Sequence, residues 1–459
     1  MVAHLTLVVM KVKLGFVPSH RAGFNEKISA QMRGRVIRAL SKIRNLEVYF
    51  PSEKDTRLGL VRNDEDAEKT ISIFKRMNVD GLIIGAMNFG DEVSAVKVAA
   101  SINKPVLLFA VKEEPLKTQW VRRDSFCGTL SISSGLYRRG IRFMFAGVVL
   151  PEEQSFLRTV ETFIRACNVV RGFREARIGL VGPRPERFET CSFNERILAD
   201  KFNLTLIPVS QAILFHMANS LKDDDSKVVE IMRDMKDSIR STELEERDLL
   251  KMAKLERALR LIAAEKKLSA MAIHCWPASS LVYGVMPCFV MGRIVDSGIM
   301  CSCEGDVYGA LTMLFQYLLS MGERPPHFID WTIKHPNRDD AFLAWHCGNA
   351  PPSLACEECE IKVSSGGLGS FRIKRGDVTI CSLSEHNGEF KMLITRGRVI
   401  DDDYWISGTG AWVEVPNLDE VYRCLAENGF VHHASMIHGD YVDAAVNACK
   451  FLGITPMAI

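Results

Sequence analysis

Five short apolar runs, KLGFV, LEVYF, GLIIG, PVLLFAV and FMFAGVV, follow one another between Lys11 and about residue 150, with polar, helix-patterned segments between them. A short strand that is apolar on both sides cannot lie on a sheet with a wet face, so these runs need cover above and below. Amphipathic segments over roughly 25–43, 64–77 and 91–101 supply it. The alternation predicts a parallel, doubly wound α/β sheet. Asn63 is placed to cap one of its helices, with Asp64, Glu65 and Asp66 in the first turn, where the helix dipole favours acids.

The pattern recurs after a helix at about 152–171. ARIGLVG and LTLIPV read as strands around a helix that follows Ser192, and a long charged helical region occupies about 211–267. Its charge runs, at 223–225 and 243–248, read as solvated helix faces and turns. The strand MAIHC, the helix CFVMGRIVD and the strand GIMCSCE come next. The helix after Glu304 carries Val307, Ala310, Leu311, Leu314, Leu318 and Met321 on one inward stripe, which puts Glu304 at a strand-to-helix switch. From Phe342 the texture changes to shorter strand-like segments, with Gly366, Gly367, Gly369, Gly376 and Gly388 at the turns and a terminal helix at about 439–452. The expected organisation is an α/β domain over 1–150, a second over 151–341 that carries Glu304 and Asp330, and a β-rich domain over 342–459 that carries His346 and His433.

With 459 residues the chain is too long for a single ordinary core. Its 58 basic and 56 acidic residues leave a net charge of +2, which gives no basic footprint for nucleic acid. No uninterrupted apolar stretch reaches the length of a membrane span. The apolar start, MVAHLTLVVMKVKLGFV, runs into a strand pattern without a small-residue cleavage site and reads as structure rather than as a signal peptide. Thirteen cysteines without a secretory signal read as reduced thiols of a cytoplasmic protein. The close pairs Cys301/Cys303 and Cys356/Cys359 do not match a zinc-finger spacing and read as small buried hydrophobes.

Against this background four residues in the last third stand out: Glu304 in CSCEGDVYGAL, Asp330 in HFIDW, His346 in LAWHCGN and His433 in GFVHHAS, each where a predicted strand runs out. A carboxylate at the end of an apolar strand is costly to bury without a metal, a cation or a proton beside it. Two carboxylates with one or two imidazoles suit a divalent cation such as Mn2+, Mg2+ or Co2+. Each residue alone has a plainer reading: a helix N-terminal acid, a turn cap or a hydrogen-bonded core histidine. Further candidates are Ser19, His20 and Arg21 after the first strand, His274 and Trp276 after MAIHC as a wall for a sugar ring, and Asn349 and His432 beside the ligand candidates. SSGGLGS lacks the strand-then-helix context of a phosphate loop and reads as a hairpin turn.

The segments CEGDVYGAL, FIDW, WHCGN and GFVHHASMIHGDYVDAA resemble the L-fucose isomerase / L-arabinose isomerase superfamily, as do GFVPSHRAGFNE and IGLVGPRPERFETCSFNE nearer the N-terminus. The resemblance implies two Rossmann-like doubly wound α/β domains followed by a barrel-like β domain, and a metal-dependent aldose–ketose isomerase working through an enediol or enediolate. Carried over by motif, the metal-binding acids fall on Glu304 and Asp330, which also form the acid/base pair. The metal-binding histidine, second of a His-His pair, falls on His433. His346 becomes a fourth ligand or a donor to a sugar hydroxyl. The aspartate at 330 is the fucose-isomerase choice, whereas His346 and the His-His pair look like arabinose isomerase. The resemblance further implies a homo-oligomer, trimer or hexamer, in which the loop with His20 and Arg21 approaches a neighbouring subunit's active site, where Arg21 could bind sugar hydroxyls or an anionic substituent. The alternatives are an isomerase of an acid-substituted sugar such as a sulfonated hexose, and a non-catalytic sugar-binding or regulatory homologue.

Overall fold

A computed structural model describes residues 11–114, 122–242, 245–364 and 366–459. The apolar start before residue 11, part of the 243–248 charge run and Ser365 of SSGGLGS lie outside these residues. The chain divides between Arg171 and Gly172 into two units, each with its own core.

In the first unit, β1 (Val12–Ser19), β2 (Leu46–Tyr49), β3 (Gly81–Ala86), β4 (Val106–Val111) and β5 (Phe143–Val149) form a parallel sheet in the order β2-β1-β3-β4-β5. Alternate strand residues Val17, Leu82, Ile84, Val106 and Leu108 pack against Ala67, Ile71, Phe74, Val98, Ile132 and Leu136 from three helices. On the opposite face Phe109 meets Phe156, ring centroids 4.9 Å apart. Helices therefore cover both faces, as the doubly apolar strands require. The strand order reverses between β1 and β3, and Ser19, His20 and Arg21 lie at that reversal, where open α/β sheets collect ligands.

The second unit opens with another parallel sheet. Its strands are β6 (Arg177–Val181), β7 (Thr205–Val209), β9 (Ala270–Ile273) and β10 (Met300–Ser302), ordered β10-β9-β6-β7. The two-residue β8 (Ser241–Thr242) belongs to a different sheet. That sheet also holds β11 (His327–Lys334), β12 (Ala341–His346), β13 (Lys362–Val363), β14 (Gly369–Arg372), β15 (Gly376–His386), β16 (Glu389–Ile400), β17 (Thr409–Glu414), β18 (His433–His438) and β19 (Thr455–Ala458). Six of these close on themselves: β11 pairs with β12, β12 with β17, β17 with β16, β16 with β15, β15 with β18 and β18 with β11, every pair antiparallel. Closure removes the open edges from a barrel whose interior is filled by side chains. β19 lies parallel on β16, while β14, β13 and β8 extend the sheet beyond β17.

The sequence pattern predicts Asp330 at a strand end in the second α/β domain. Its strand, β11, instead belongs to the barrel, with Asp330 in mid-strand opposite Trp345 and His433. The physical reason lies in the burial pattern: His327, Phe328 and Ile329 are buried, but Thr332, Ile333 and Lys334 are exposed, which a central parallel strand would not tolerate. Cys356 and Cys359 are joined as a disulfide rather than free, their Cα atoms 5.1 Å apart in a half-buried turn.

The helix Cys288–Asp296 is held close beneath the segment that follows β12. A Cβ on Gly292 would lie 2.1 Å from the Ala350 carbonyl oxygen, so only glycine allows this approach. Above it His327 is wholly buried, with Nε2 3.4 Å from Thr409 Oγ1. Burial, helped by the nearby His346, pushes its pKa down to about 3. A histidine held neutral in the fold contributes stability that is complete above its unfolded pKa of about 6.5 and is lost as the pH falls from there towards 3. Denaturant titrations should therefore show a loss of about 2 kcal/mol between pH 6.5 and pH 5 that His327→Gln removes. Parallel pH profiles in wild type and variant would show that another group is responsible.

Candidate active site

Two consecutive left-handed residues turn the chain between β10 and the helix Val307–Leu319: Glu304 at φ 60° and Gly305 at φ 68°. For a glutamate this conformation costs roughly 1–2 kcal/mol, and such strain persists only where the surroundings enforce it. Asp306 then caps the helix, Oδ1 accepting from Gly309 N at 2.9 Å. The turn directs the carboxylates of Glu304 and Asp306 at one imidazole. His433, the first residue of β18, faces Asp306 Oδ2 through Nδ1 at 2.9 Å and Glu304 Oε2 through Nε2 at 2.9 Å. Antiparallel register sets Asp330 of β11 directly beside His433, with Oδ1 3.7 Å from Nε2.

Aromatic and thiol groups surround this cluster. Trp276 Nε1 donates to Glu304 Oε1 at 3.0 Å. Phe188 stands edge-on to Trp276 and His432, at 5.8 and 5.7 Å between centroids, and lies 6.3 Å from the His433 ring. Cys191 Sγ is 3.9 Å from His433 Nδ1. The backbone N–H of Cys347 donates to His346 Nδ1 at 2.9 Å, so the proton of the neutral His346 ring sits on Nε2.

The charges in this cluster are unevenly satisfied. Burial alone would push His433 down, but the carboxylate of Asp306, together with Cys191 and Glu304, outweighs it and holds the ring well above its ordinary value. Burial likewise pushes Glu304 up, yet hydrogen bonds from His433 and Trp276 leave it below the usual carboxylate range. For Asp330 burial outweighs the pull of His346, His433 and His432 and raises its pKa, and Oδ1 is buried without a hydrogen-bond partner. An orphaned carboxylate oxygen beside a second carboxylate and an imidazole nitrogen is a donor set in want of a cation. Nε2 of His433 lies 2.9 Å from Glu304 Oε2 and 3.7 Å from Asp330 Oδ1. Ligand atoms of Asp330, His346 and His433 all fall within 4.8 Å of one another, as do those of Cys191, Glu304 and His433, so the donors around the shared His433 suit a divalent ion. Asp306, on the far nitrogen, would fix the tautomer that leaves Nε2 free.

Of the remaining sequence candidates, the structure brings Trp276 and His432 to this cluster, and His346 lies within it, its ring 6.3 Å from that of His433. His274 is buried with neither ring nitrogen hydrogen-bonded, and Asn349 is buried beside His327. His20 and Arg21 belong to the first unit. There His20 Nδ1 meets Ser29 Oγ and Asn88 Nδ2, while Arg21 pairs with Glu92, donates to the Gly90 carbonyl and lies 4.8 Å over the Phe89 ring. Sequence reasoning missed Asp306, Phe188 and Cys191. Asp306 was legible as a helix cap two residues after Glu304, but nothing local joins it to a histidine 127 positions on.

Residues 15–174 match the N-terminal domain of fucose/sulfoquinovose isomerases, and residues 345–458 match the C-terminal domain of L-fucose isomerase. A sulfoquinovose isomerase of Priestia aryabhattai is 23% identical over 404 residues, 86% of this chain and 89% of the relative. Sulfoquinovose isomerases of Alkalicoccus urumqiensis and of Clostridium sp. (strain MSTE9) are each 24% identical, covering 79% of this chain and 82% of theirs. The class these matches define is the aldose–ketose isomerases. Within it, the chain belongs to the fucose isomerase-like family.

Removing the charge at position 306 without removing its bulk isolates the orienting contact. Asp306→Asn should keep the fold, with Tm within a few degrees, and should weaken divalent-ion binding and turnover about 10–100-fold. Unchanged ion affinity would show that Asp306 serves the helix and not the imidazole.

Proposed function

We propose that this protein isomerises a sulfonated hexose of the sulfoquinovose type to its ketose, using a divalent cation such as Mn2+, with Mg2+ or Co2+ as substitutes, held by Glu304, Asp330 and His433. The single observation that carries the metal reading is the buried, unpartnered Oδ1 of Asp330 facing His433 Nε2 and Glu304. The substrate reading rests on the relatives, each of which is named a sulfoquinovose isomerase.

Aldose–ketose exchange moves one proton from C2 to C1 and another from the oxygen on C2 to the oxygen on C1. A cation bound at this site supplies Lewis acidity to those two oxygens as negative charge develops on them. Glu304, locked by Trp276 Nε1 and by its backbone turn, takes the C2 proton and returns it to C1. Asp330, whose environment favours the protonated form, passes the proton between the oxygens. His346 presents an N–H to a sugar hydroxyl rather than a lone pair to the ion, because its other nitrogen is occupied by the Cys347 N–H. Trp276 and Phe188 form the apolar wall of the ring site.

Arg21 is the cation we assign to the acidic substituent, offered by a neighbouring copy in a homo-oligomer. Among the described residues no helix is long and apolar enough to cross a membrane, in keeping with a cytoplasmic enzyme and a free sugar as substrate.

A panel of sulfoquinovose, glucose, L-fucose and L-arabinose, incubated with Mn2+ and followed by proton NMR, tests this directly. The sulfonated sugar alone should yield ketose. Chelation should abolish the conversion, and Glu304→Gln should slow it about 10²–10⁴-fold. Turnover of L-fucose instead would favour the neutral-sugar reading that the C-terminal family match supports. Binding without turnover of any sugar would leave a sugar-binding role.

A further inference from the structure

Four cysteines that the isomerase chemistry does not use converge beneath the active site. Cys275 follows β9, Cys303 follows β10, Cys288 opens the helix Cys288–Asp296 and Cys347 follows β12. Cys275 Sγ lies 2.8 Å from Cys303 Sγ, and Cys288 Sγ lies 3.6 Å from Cys347 Sγ. The sulfurs of Cys288, Cys303 and Cys347 all fall within 4.8 Å of one another. Cys275, Cys288 and Cys303 are buried and Cys347 is half-buried.

We infer that Cys288, Cys303 and Cys347 form a thiolate site for a soft, zinc-class divalent cation, distinct from the carboxylate–imidazole centre, with Cys275 adjoining it at Cys303. Tetrahedral zinc with bonds of about 2.3 Å spaces its sulfurs about 3.8 Å apart, close to the spacing between Cys288 and Cys347. Cys301, one pleat away, turns its sulfur to the Ile299 carbonyl and takes no part.

The position of the cluster gives it a purpose. Cys275 precedes Trp276, Cys303 precedes Glu304 and Cys347 follows His346. One ion on Cys288, Cys303 and Cys347 would pin Glu304 and His346, borne on two different strands, by their immediate neighbours. Folding a strand of the parallel sheet and one of the barrel onto a common centre would also set the left-handed turn at Glu304.

Metal analysis of the full chain, purified without added metal and dialysed against EDTA to strip the carboxylate centre, should find about one tightly held zinc per chain. Growth with Co2+ should give wild-type protein with thiolate-to-cobalt charge-transfer bands in the near ultraviolet. Cys288→Ser and Cys347→Ser should lose both the bands and the retained metal, while Glu304→Gln should keep them. Absence of soft metal and of the bands in wild-type protein overturns the inference, whether mass spectrometry then finds Cys275 and Cys303 as free thiols or as a disulfide. The readouts are spectral and analytical, so a failed sugar assay does not bear on them.

Discussion

Everything at this site hangs on the imidazole of His433, held at 2.9 Å on each nitrogen by carboxylates that enter from one turn of the chain. The ring belongs to the barrel and both acids to the end of a parallel strand, so the contact joins the two halves of the second unit. With the His433 side chain only 1% exposed and that of Asp306 4%, neither partner has water to fall back on. Truncating one member of such a buried set to a residue that can no longer hydrogen-bond leaves an uncompensated charge and typically costs about 3–5 kcal/mol. The same geometry leaves Nε2 within 4 Å of an oxygen from Glu304 and of one from Asp330.

The third acid differs in kind. Glu304 and Asp306 reach His433 from a strained turn, whereas Asp330 arrives through strand register, directly across the ladder from the histidine. A sheet ladder is a stiff ruler: a slip of one residue would send Asp330 to the other face. The second unit therefore combines a flexible device, two left-handed residues in succession, with a rigid one. Their meeting point is where the unsatisfied oxygen lies.

The family models match residues 15–174 and 345–458 and leave out the region of Glu304, Asp306 and Asp330. Motif resemblance pointed to Glu304 and Asp330, and the coordinates add their distances to His433 and the part of Asp306. Sequence kinship supplies the sugar-isomerase class, and the orphaned carboxylate supplies the reason for a cation. The thiol cluster underneath adds a second constraint on the same loops, anchored in the apolar layer rather than in the polar one.

The sequence determined much of this protein unaided. Uniformly apolar runs of five to seven residues, spaced by amphipathic helices, dictate a parallel sheet covered on both faces, because no other arrangement hides both sides of such strands. The inward stripe from Val307 to Leu318 likewise dictates a strand-to-helix switch at Glu304, and motif resemblance pointed to Glu304, Asp330, His346 and His433. The sequence could not show that HFIDWTIK joins the barrel, that Asp306 reaches His433, that Phe188 stands beside His433 or that Cys288, Cys303 and Cys347 come within 4.8 Å of one another. Local propensity and periodicity act over a few residues. These contacts reach from 15 positions, Cys288 to Cys303, to 245, Phe188 to His433, and strand register, barrel closure and a backbone turn at positive φ decide them only once the chain has folded.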